Sequence, residues 1–109
     1  MSAMFAFEIG DISMRSATFE NVMTELLARS TDSVDRQVWQ DALDLNCLWV
    51  DQIPENLRCP LLVSLYDVLL RMLRGEAYRR NDTALFEIGE VMKELVVRYP
   101  GCLETESST

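Results

Sequence analysis

Pairs of carboxylates at helical spacing are the residues of this chain that could do acid–base or metal chemistry. Asp41 and Asp44 are three residues apart, and Glu87, Glu90 and Glu94 follow one another at steps of three and four. On a helix these spacings bring the carboxylates onto one face, where they could share a proton or hold a cation. Carboxylate metal sites in helical bundles also use a Glu-x-x-His motif, and the chain contains no histidine. We therefore expect solvated, charged helix faces at these pairs and no metal site.

The cysteines and the missing histidines exclude the usual nucleophilic and zinc chemistry. Cys47, Cys59 and Cys102 are scattered and contain no Cys-x-x-Cys motif, so they cannot build a four-cysteine zinc site. Without histidine, Ser-His-Asp and Cys-His catalysis is absent. An odd, sparse set of cysteines also argues against a disulfide framework. The sequence predicts a protein that is not an enzyme and that needs no cofactor.

Length and charge restrict the remaining classes. A chain of 109 residues, 49% of them hydrophobic, fits one compact domain. Its net charge of −8 disfavours binding to nucleic acid, because phosphate contacts require lysine and arginine. Residues 1–57 hold ten acids and three bases, whereas residues 58–109 hold eight acids and seven bases. Nearly all of the acidic excess therefore lies in the first half.

The N-terminal segment is apolar but lacks the features of an export signal. The stretch from Met1 to Ile12 contains Glu8 and Asp11 and has no basic residue at its start. No apolar run approaches the roughly 20 residues that cross a bilayer. We therefore predict a cytoplasmic protein with no segment inserted into a membrane.

Hydrophobic periodicity predicts four helices that would position the side chains named above. The polar cluster at 30–33 resembles a helix start, and Asn81 with Asp82 forms another. Pro54 should end the second helix, because the residue before a proline is pushed out of the helical region. Short connections favour antiparallel neighbours, so we expect an all-α fold, a small antiparallel bundle of about four helices. The helices are expected at about 17–29, 34–51, 60–79 and 83–98.

The bundle is expected to occupy residues 16–101, between an apolar leader at 1–15 and a flexible polar tail at 102–109. Period-two alternation appears only at Phe5, Phe7 and Ile9. The leader could lie in a groove of the bundle, mediate a dimer contact or be disordered. These alternatives stay open at the level of sequence.

The third predicted helix is apolar over more of its circumference than a helix packed on one side needs. Such a helix either lies centrally in the bundle or presents a groove to an amphipathic helix of a partner. Gly89 interrupts the fourth helix at a cost of up to about 1 kcal/mol relative to alanine. We expect it to permit close approach of another helix, from this chain or from a partner. The apolar residues of the third helix are Leu61, Leu62, Val63, Leu65, Tyr66, Val68, Leu69, Leu70, Met72 and Leu73.

Part of the second half resembles the FliS family of flagellar export chaperones. Residues 65–73, LYDVLLRML, are similar to that family's Leu-Tyr-Asp/Ser-Tyr-x-x-Arg-x-Leu helix. Asn81-Asp82 matches the turn that follows, and Glu90-Val91 matches a pair in the family's next, acidic helix. The resemblance covers about a third of the chain.

A second set of motifs is similar to the FlaF family of flagellin regulators. Arg36-Gln-Val-Trp39 matches that family's Arg-x-x-Trp, and residues 53–58, IPENLR, resemble its Leu-Pro-x-x-Leu-Arg motif. Residues 85–88, LFEI, match its Leu-x-Glu-Ile helix, and the three motifs occur in the family's order.

Both resemblances imply a protein that acts on flagellin. FliS chaperones are helical bundles that bind the C-terminal helices of flagellin in the cytoplasm, prevent premature assembly and deliver the client to the type III export apparatus. A FlaF-type protein would instead regulate flagellin synthesis. We therefore expect a monomer or homodimer that masks amphipathic client helices. Its candidate contact residues are Trp49, Tyr66, Leu69, Leu70, Leu73 and Phe86.

The negative charge leaves a different class open, an acidic decoy that occupies the basic groove of a nucleic-acid-binding protein. A decoy requires one continuous acidic face, and salt should weaken its binding strongly. A chaperone requires an exposed apolar surface, and its binding should depend only weakly on salt. The two classes therefore differ in a measurable property.

Overall fold

The structure, a computed structural model, divides the chain into two compact units, residues 1–53 and 54–109. The boundary falls inside the range 16–101 that the sequence assigns to a single bundle. Each unit has its own elements and its own core. The structure describes residues 2–8, 10–75 and 81–103.

The first unit combines a three-stranded sheet with two helices. β1 is the central strand, and it pairs with β2 in the antiparallel and with β3 in the parallel direction. In this register Phe5 lies between Ile12 of β2 and Leu48 of β3. The elements are β1 Ser2–Phe7, β2 Gly10–Arg15, α1 Ser16–Arg29, α2 Ser33–Leu45 and β3 Cys47–Trp49, followed by a 3-10 turn at Val50–Gln52.

One face of β1 forms the centre of the first unit's core. Ala3, Phe5 and Phe7 are buried, because alternate side chains of a strand point to the same face of the sheet. The ring of Phe5 meets that of Phe19 in α1 edge-on, with the ring centroids 5.3 Å apart. Other buried side chains of this unit are Met14, Val22, Met23, Leu26, Trp39, Ala42, Leu48 and Val50.

The prediction of an all-α fold was wrong, because the first unit contains this sheet and the fold is α+β. Residues 2–7 and 10–15, expected within a leader, form the paired strands β1 and β2. The alternation at Phe5 and Phe7 was visible in the sequence, but no partner strand was recognised for it. Cross-strand contacts stabilise a sheet, and the pattern of one strand does not reveal them.

Asn46 ends the second helix earlier than predicted, at Leu45 instead of about residue 51. Its backbone is left-handed, with φ 56° and ψ 34°, a conformation that asparagine tolerates better than most residues. Its Nδ2 donates to the backbone oxygen of Ser2 at 2.9 Å and to the hydroxyl of Ser16 at 3.0 Å. These bonds hold the end of α2 at the sheet, so Trp49 lies on a strand and not on a helix.

The polar cluster at 30–33 separates α1 from α2, as the sequence predicts. The Oδ1 atom of Asp32 accepts hydrogen bonds from the backbone N–H groups of Val34 at 2.8 Å and Asp35 at 3.2 Å. This is the N-cap arrangement, which satisfies donors at the start of a helix.

The second unit is helical. α3 begins directly after Pro54, earlier than predicted, and contains Pro60. The Oδ1 atom of Asn81 accepts a hydrogen bond from the N–H of Ala84 at 3.1 Å, which confirms the predicted cap of the last long helix. α3 packs against α4 and α5. The helices are α3 Glu55–Arg74, α4 Asp82–Arg98 and the short α5 Pro100–Leu103. The buried residues are Leu61, Leu62, Leu65, Val68, Leu69, Ala84, Ile88, Val91, Met92, Leu95 and Leu103.

A disulfide between Cys59 and Cys102 ties α3 to α5. The two Cα atoms are 5.0 Å apart, although the residues are 43 positions apart in the chain. The odd cysteine count argued against disulfide bonding, but two of the three cysteines pair and Cys47 is the free one. Only the return of α5 onto α3 brings the pair together, and no sequence spacing signals that return.

The described helices are amphipathic, and none of them is long and apolar enough to cross a membrane. The longest is α3, with 20 residues. The predicted polar tail begins inside α5, and residues 104–109 lie outside the described residues. So do residues 76–79, where the third helix was expected to end.

Candidate functional site

The paired aspartates of α2 form hydrogen bonds within their own helix. Gln37 Nε2 donates to Asp41 Oδ1 at 2.7 Å, and Gln40 Nε2 donates to Asp44 Oδ1 at 3.0 Å. Both aspartates are exposed. Among residues 2–8, 10–75 and 81–103, no group of three metal-ligating side chains comes together. The arrangement is that of a solvated helix face.

The thiol of Cys47 is held in its protonated form. Burial raises the pKa of Cys47, and the negative charge of Asp11 raises it further. Because the thiolate is the reactive species, a raised pKa makes this cysteine a poor nucleophile at neutral pH.

The structure separates the six contact residues expected from the sequence. Trp49 belongs to the first unit, where its side chain is 56% exposed on β3. The other five belong to the second unit. Phe86 on α4 is 67% exposed, and Leu69 on α3 is fully buried and contributes to the core. Tyr66, Leu70 and Leu73 are partly exposed on α3.

The apolar surface of α3 extends beyond its buried arc. Tyr66, Leu70 and Leu73 recur at steps of four and three, so they form one stripe on the helix. Val63 extends this stripe toward the start of α3 and is 48% exposed. We call these four residues the α3 flank. The sequence left a central helix and an exposed groove open, and α3 combines a buried arc with an exposed apolar flank.

α4 also carries apolar side chains on the side opposite its core. Phe86 and Val97 are 11 positions apart, close to three full turns, and their side chains are 67% and 68% exposed. Gly89 and Lys93 lie between them on the same line. We call these four residues the α4 outer line.

Gly89 leaves open space on this line. A Cβ atom built at Gly89 would meet nothing within 4 Å. Close packing of another helix on Gly89 was expected, and no described part of the chain supplies it. Within the described part of this unit the glycine has no steric role, although it weakens helix formation.

The α3 flank and one side of α4 face the same way. Leu85 and Val96 are partly exposed and lie between the buried arc of α4 and its outer line. On both helices the partly exposed apolar residues lie next to the buried arc, displaced from it in the same direction of rotation about the helix axis. α3 and α4 pack together and are joined by a short connection, so they run antiparallel. In two antiparallel helices whose buried arcs face each other, the same direction of rotation leads to the same side of the pair. The wheel positions therefore indicate one apolar surface across both helices.

Charges at this surface are mixed in sign. Asp67 and Arg71 form an exposed ion pair on α3 at 3.3 Å. Glu94 and Arg98 form a less exposed pair on α4 at 3.9 Å, on the side of that helix away from Leu85 and Val96. Lys93 is exposed in the middle of the outer line. An exposed ion pair such as that of Asp67 and Arg71 contributes little to stability.

Sequence reasoning missed Val63 and Val97. A signal for Val97 was present, since Phe86 and Val97 share a helix line and no apolar neighbour stands between them. Val63 was recognised as widening the apolar arc of the third helix but was not chosen as a contact. Both residues are more exposed than the predicted contacts Tyr66 and Leu70.

Comparisons with known proteins assign no family to the chain. No family model matches it, and no curated protein or solved structure matches it. The FliS and FlaF resemblances therefore rest on the short motifs alone.

One of these motifs has a structural role in the first unit. Arg36 donates hydrogen bonds to the carbonyl oxygens of Leu27 and Ser30, at the end of α1. Trp39 is fully buried in the core of the same unit. The Arg-x-x-Trp motif thus joins a helix end to a core side chain, which explains both residue types without a partner.

Proposed function

We propose that this chain is a non-catalytic binding protein whose second unit masks an amphipathic helix of a protein client. The observations that carry the proposal are the exposed and partly exposed apolar side chains of the α3 flank and the α4 outer line. Apolar side chains that gather into a water-exposed patch mark an interaction site. Large aromatic side chains supply much of the binding energy at such sites, and Tyr66 and Phe86 are the aromatic members here.

The mechanism is masking of apolar surface. The apolar stripe of a client helix lies along α3 and α4, so that stripe is no longer free to pair with other client molecules. The open space over Gly89 allows a client helix to approach the α4 backbone closely. The protein contributes no covalent step.

The resemblances to FliS and FlaF point to flagellin as the client. Residues 65–73 carry the FliS-like motif and include Tyr66, Leu70 and Leu73, three members of the α3 flank. The client segment of the proposal is the C-terminal helical part of flagellin, held in the cytoplasm before transfer to the export apparatus. Cytosolic thiols are kept reduced, so the proposal requires binding with Cys59 and Cys102 as thiols.

Calorimetric titration of the full chain with a C-terminal helical segment of flagellin tests this function. We expect saturable binding with and without dithiothreitol, a negative heat-capacity change from apolar burial, and less than about a threefold change in affinity across physiological salt. Binding that salt weakens by orders of magnitude would favour the acidic decoy. No binding at tens of micromolar would reject flagellin as the client.

A further inference from the structure

The first unit's sheet has a second face, opposite to the one that packs on α1. Two rows of side chains cross this face, because residues in register on neighbouring strands point the same way. Trp49 is more than half exposed in one row, and Met4 is exposed in the other. We call the two rows the outer sheet face. They consist of Asp11, Ala6 and Trp49, and of Ser13, Met4 and Cys47.

Trp49 is a large aromatic side chain that the rest of the account leaves without a role. It lies outside the core of the first unit, and the proposed client surface belongs to the second unit. Exposed tryptophans are frequent among the side chains that supply most of the binding energy at protein interfaces. The face of an indole ring also attracts cations, and the guanidinium group of arginine is the most frequent of these.

Carboxylates gather at the end of the sheet where Trp49 lies. Asp11 is in the same row, and two strand spacings set its Cα about 10 Å from that of Trp49. Asp51 follows Trp49 by two residues and accepts a hydrogen bond from the backbone N–H of Glu8, just after β1. Asp11 and Glu8 are exposed. The pKa of Cys47 is raised by burial and then by the charge of Asp11, which therefore acts across this face.

The arginines of the first unit lie elsewhere. Arg29 forms an ion pair within α1, and Arg36 donates to carbonyl oxygens at the end of α1. That helix packs on the Phe5 face of the sheet. Arg15 lies at the opposite end of β2 from Asp11. The end of the outer sheet face that carries Trp49 is therefore acidic.

We propose that the outer sheet face is a docking site for an arginine-rich peptide segment of a partner protein. A guanidinium group of the partner stacks on the indole of Trp49. Asp11, Glu8 and Asp51 supply the complementary charge around it. The aliphatic part of an arginine side chain packs on Met4, as long basic side chains do on apolar surface.

Charge decides between this occupant and a second copy of the chain. Two outer sheet faces brought together would set their carboxylates against one another, which disfavours association. A basic segment meets the opposite charge at the same place. The site is also independent of the proposed client surface, which is apolar and lies on α3 and α4.

Fluorescence anisotropy of a labelled hexa-arginine peptide, titrated with the full chain, tests the role of Trp49. We expect saturable binding that salt weakens, and no binding of hexa-citrulline, a neutral peptide of similar shape. Trp49→Ala should weaken binding by at least about tenfold with an unchanged circular dichroism spectrum. Trp49→Phe should fall between the two, because phenylalanine keeps an aromatic face that attracts cations less strongly. No binding to the wild type, or wild-type affinity of Trp49→Ala, overturns the proposal.

A matched pair of charge variants separates a defined site from general attraction to the net charge of −8. Asp11→Asn and Asp41→Asn each remove one exposed negative charge, but Asp41 lies on α2. We expect Asp11→Asn to weaken hexa-arginine binding by at least about threefold, and Asp41→Asn by less than about 1.5-fold. Equal effects of the two variants would overturn the proposal.

Two further measurements identify the occupant and the unit. Sedimentation of the wild-type chain should give a mass that Trp49→Ala leaves unchanged. A wild-type dimer that Trp49→Ala dissociates would make a second copy the occupant and would overturn the proposal. Gly89→Gln, in the second unit, should bind hexa-arginine with wild-type affinity. A loss of binding in that variant would place the peptide on α4 and would contradict a site on the sheet.

Discussion

Replacing Phe5 by alanine should lower the free energy of unfolding of the first unit by about 3–5 kcal/mol. Phe5 is fully buried on the central strand, between Ile12 and Leu48, and its ring contacts Phe19. Truncation removes a large apolar side chain and leaves a cavity that the sheet cannot easily close. Since small domains are stable by only about 5–15 kcal/mol, much of this unit's stability would be lost.

Urea denaturation measures the effect. Trp39 is buried in the same unit, so its fluorescence reports on this core, and circular dichroism reports on both units. Met4→Ala is the matched control, because Met4 is the adjacent residue on the opposite face of β1 and is 39% exposed. We expect the control to change stability by less than about 1 kcal/mol. Equal, small effects of both changes would mean that the N-terminal segment is a leader and not the central strand.

Loss of the Cys59–Cys102 disulfide should destabilise the second unit by about 2–4 kcal/mol. The bond closes a loop of 43 positions and so restricts the unfolded chain, which is the main source of its stabilising effect in the chain-entropy description. It also holds the short α5, which contributes only Leu103 to the core. The effect should be confined to the unit that contains both cysteines.

Thermal unfolding of Cys59→Ser/Cys102→Ser measures this contribution. We expect a lower melting temperature than that of the oxidised wild type, and no further decrease on adding dithiothreitol. Cys47→Ser is the matched control, because Cys47 forms no disulfide. The control should respond to dithiothreitol as the wild type does. An oxidised wild type that dithiothreitol leaves unchanged would show that the disulfide does not stabilise this unit.

The helices that end at strong local signals were predicted closely. α1 and α4 lie within a residue or two of their expected bounds, because their apolar stripes are regular and polar residues at 30–33 and 81–82 bracket them. The end of α2 was missed because it depends on Asn46, whose side chain bonds to Ser2 and Ser16 far away in the sequence. The sheet was missed for the same physical reason. Its central strand β1 pairs with β2, which precedes α1, and with β3, which follows α2, so the sheet depends on contacts between distant parts of the chain.

The exposure of the third helix was left open by the sequence, which allowed a central helix or an exposed groove. Tyr66, Leu70 and Leu73 are partly exposed on it, and their role as contacts stays a prediction. Leu69 lies on the buried arc, whereas its neighbour Leu70 lies on the flank, because successive side chains of a helix point in different directions. Trp49 was assigned to a helix and lies on a strand of the other unit. Composition fixes how much apolar surface a segment has, but only packing decides which part stays exposed.

The affinity of Gly89→Gln for the C-terminal helical segment of flagellin tests the central claim most directly. The added side chain begins in open space, so no contact within the described chain is disturbed, and glutamine is a better helix former than glycine. The account predicts that the unfolding free energy is unchanged or higher, while the client binds at least about tenfold more weakly, because the new side chain fills the space that a client helix would enter. Wild-type affinity in this stable variant would contradict the claim that the client binds along the outer line of α4.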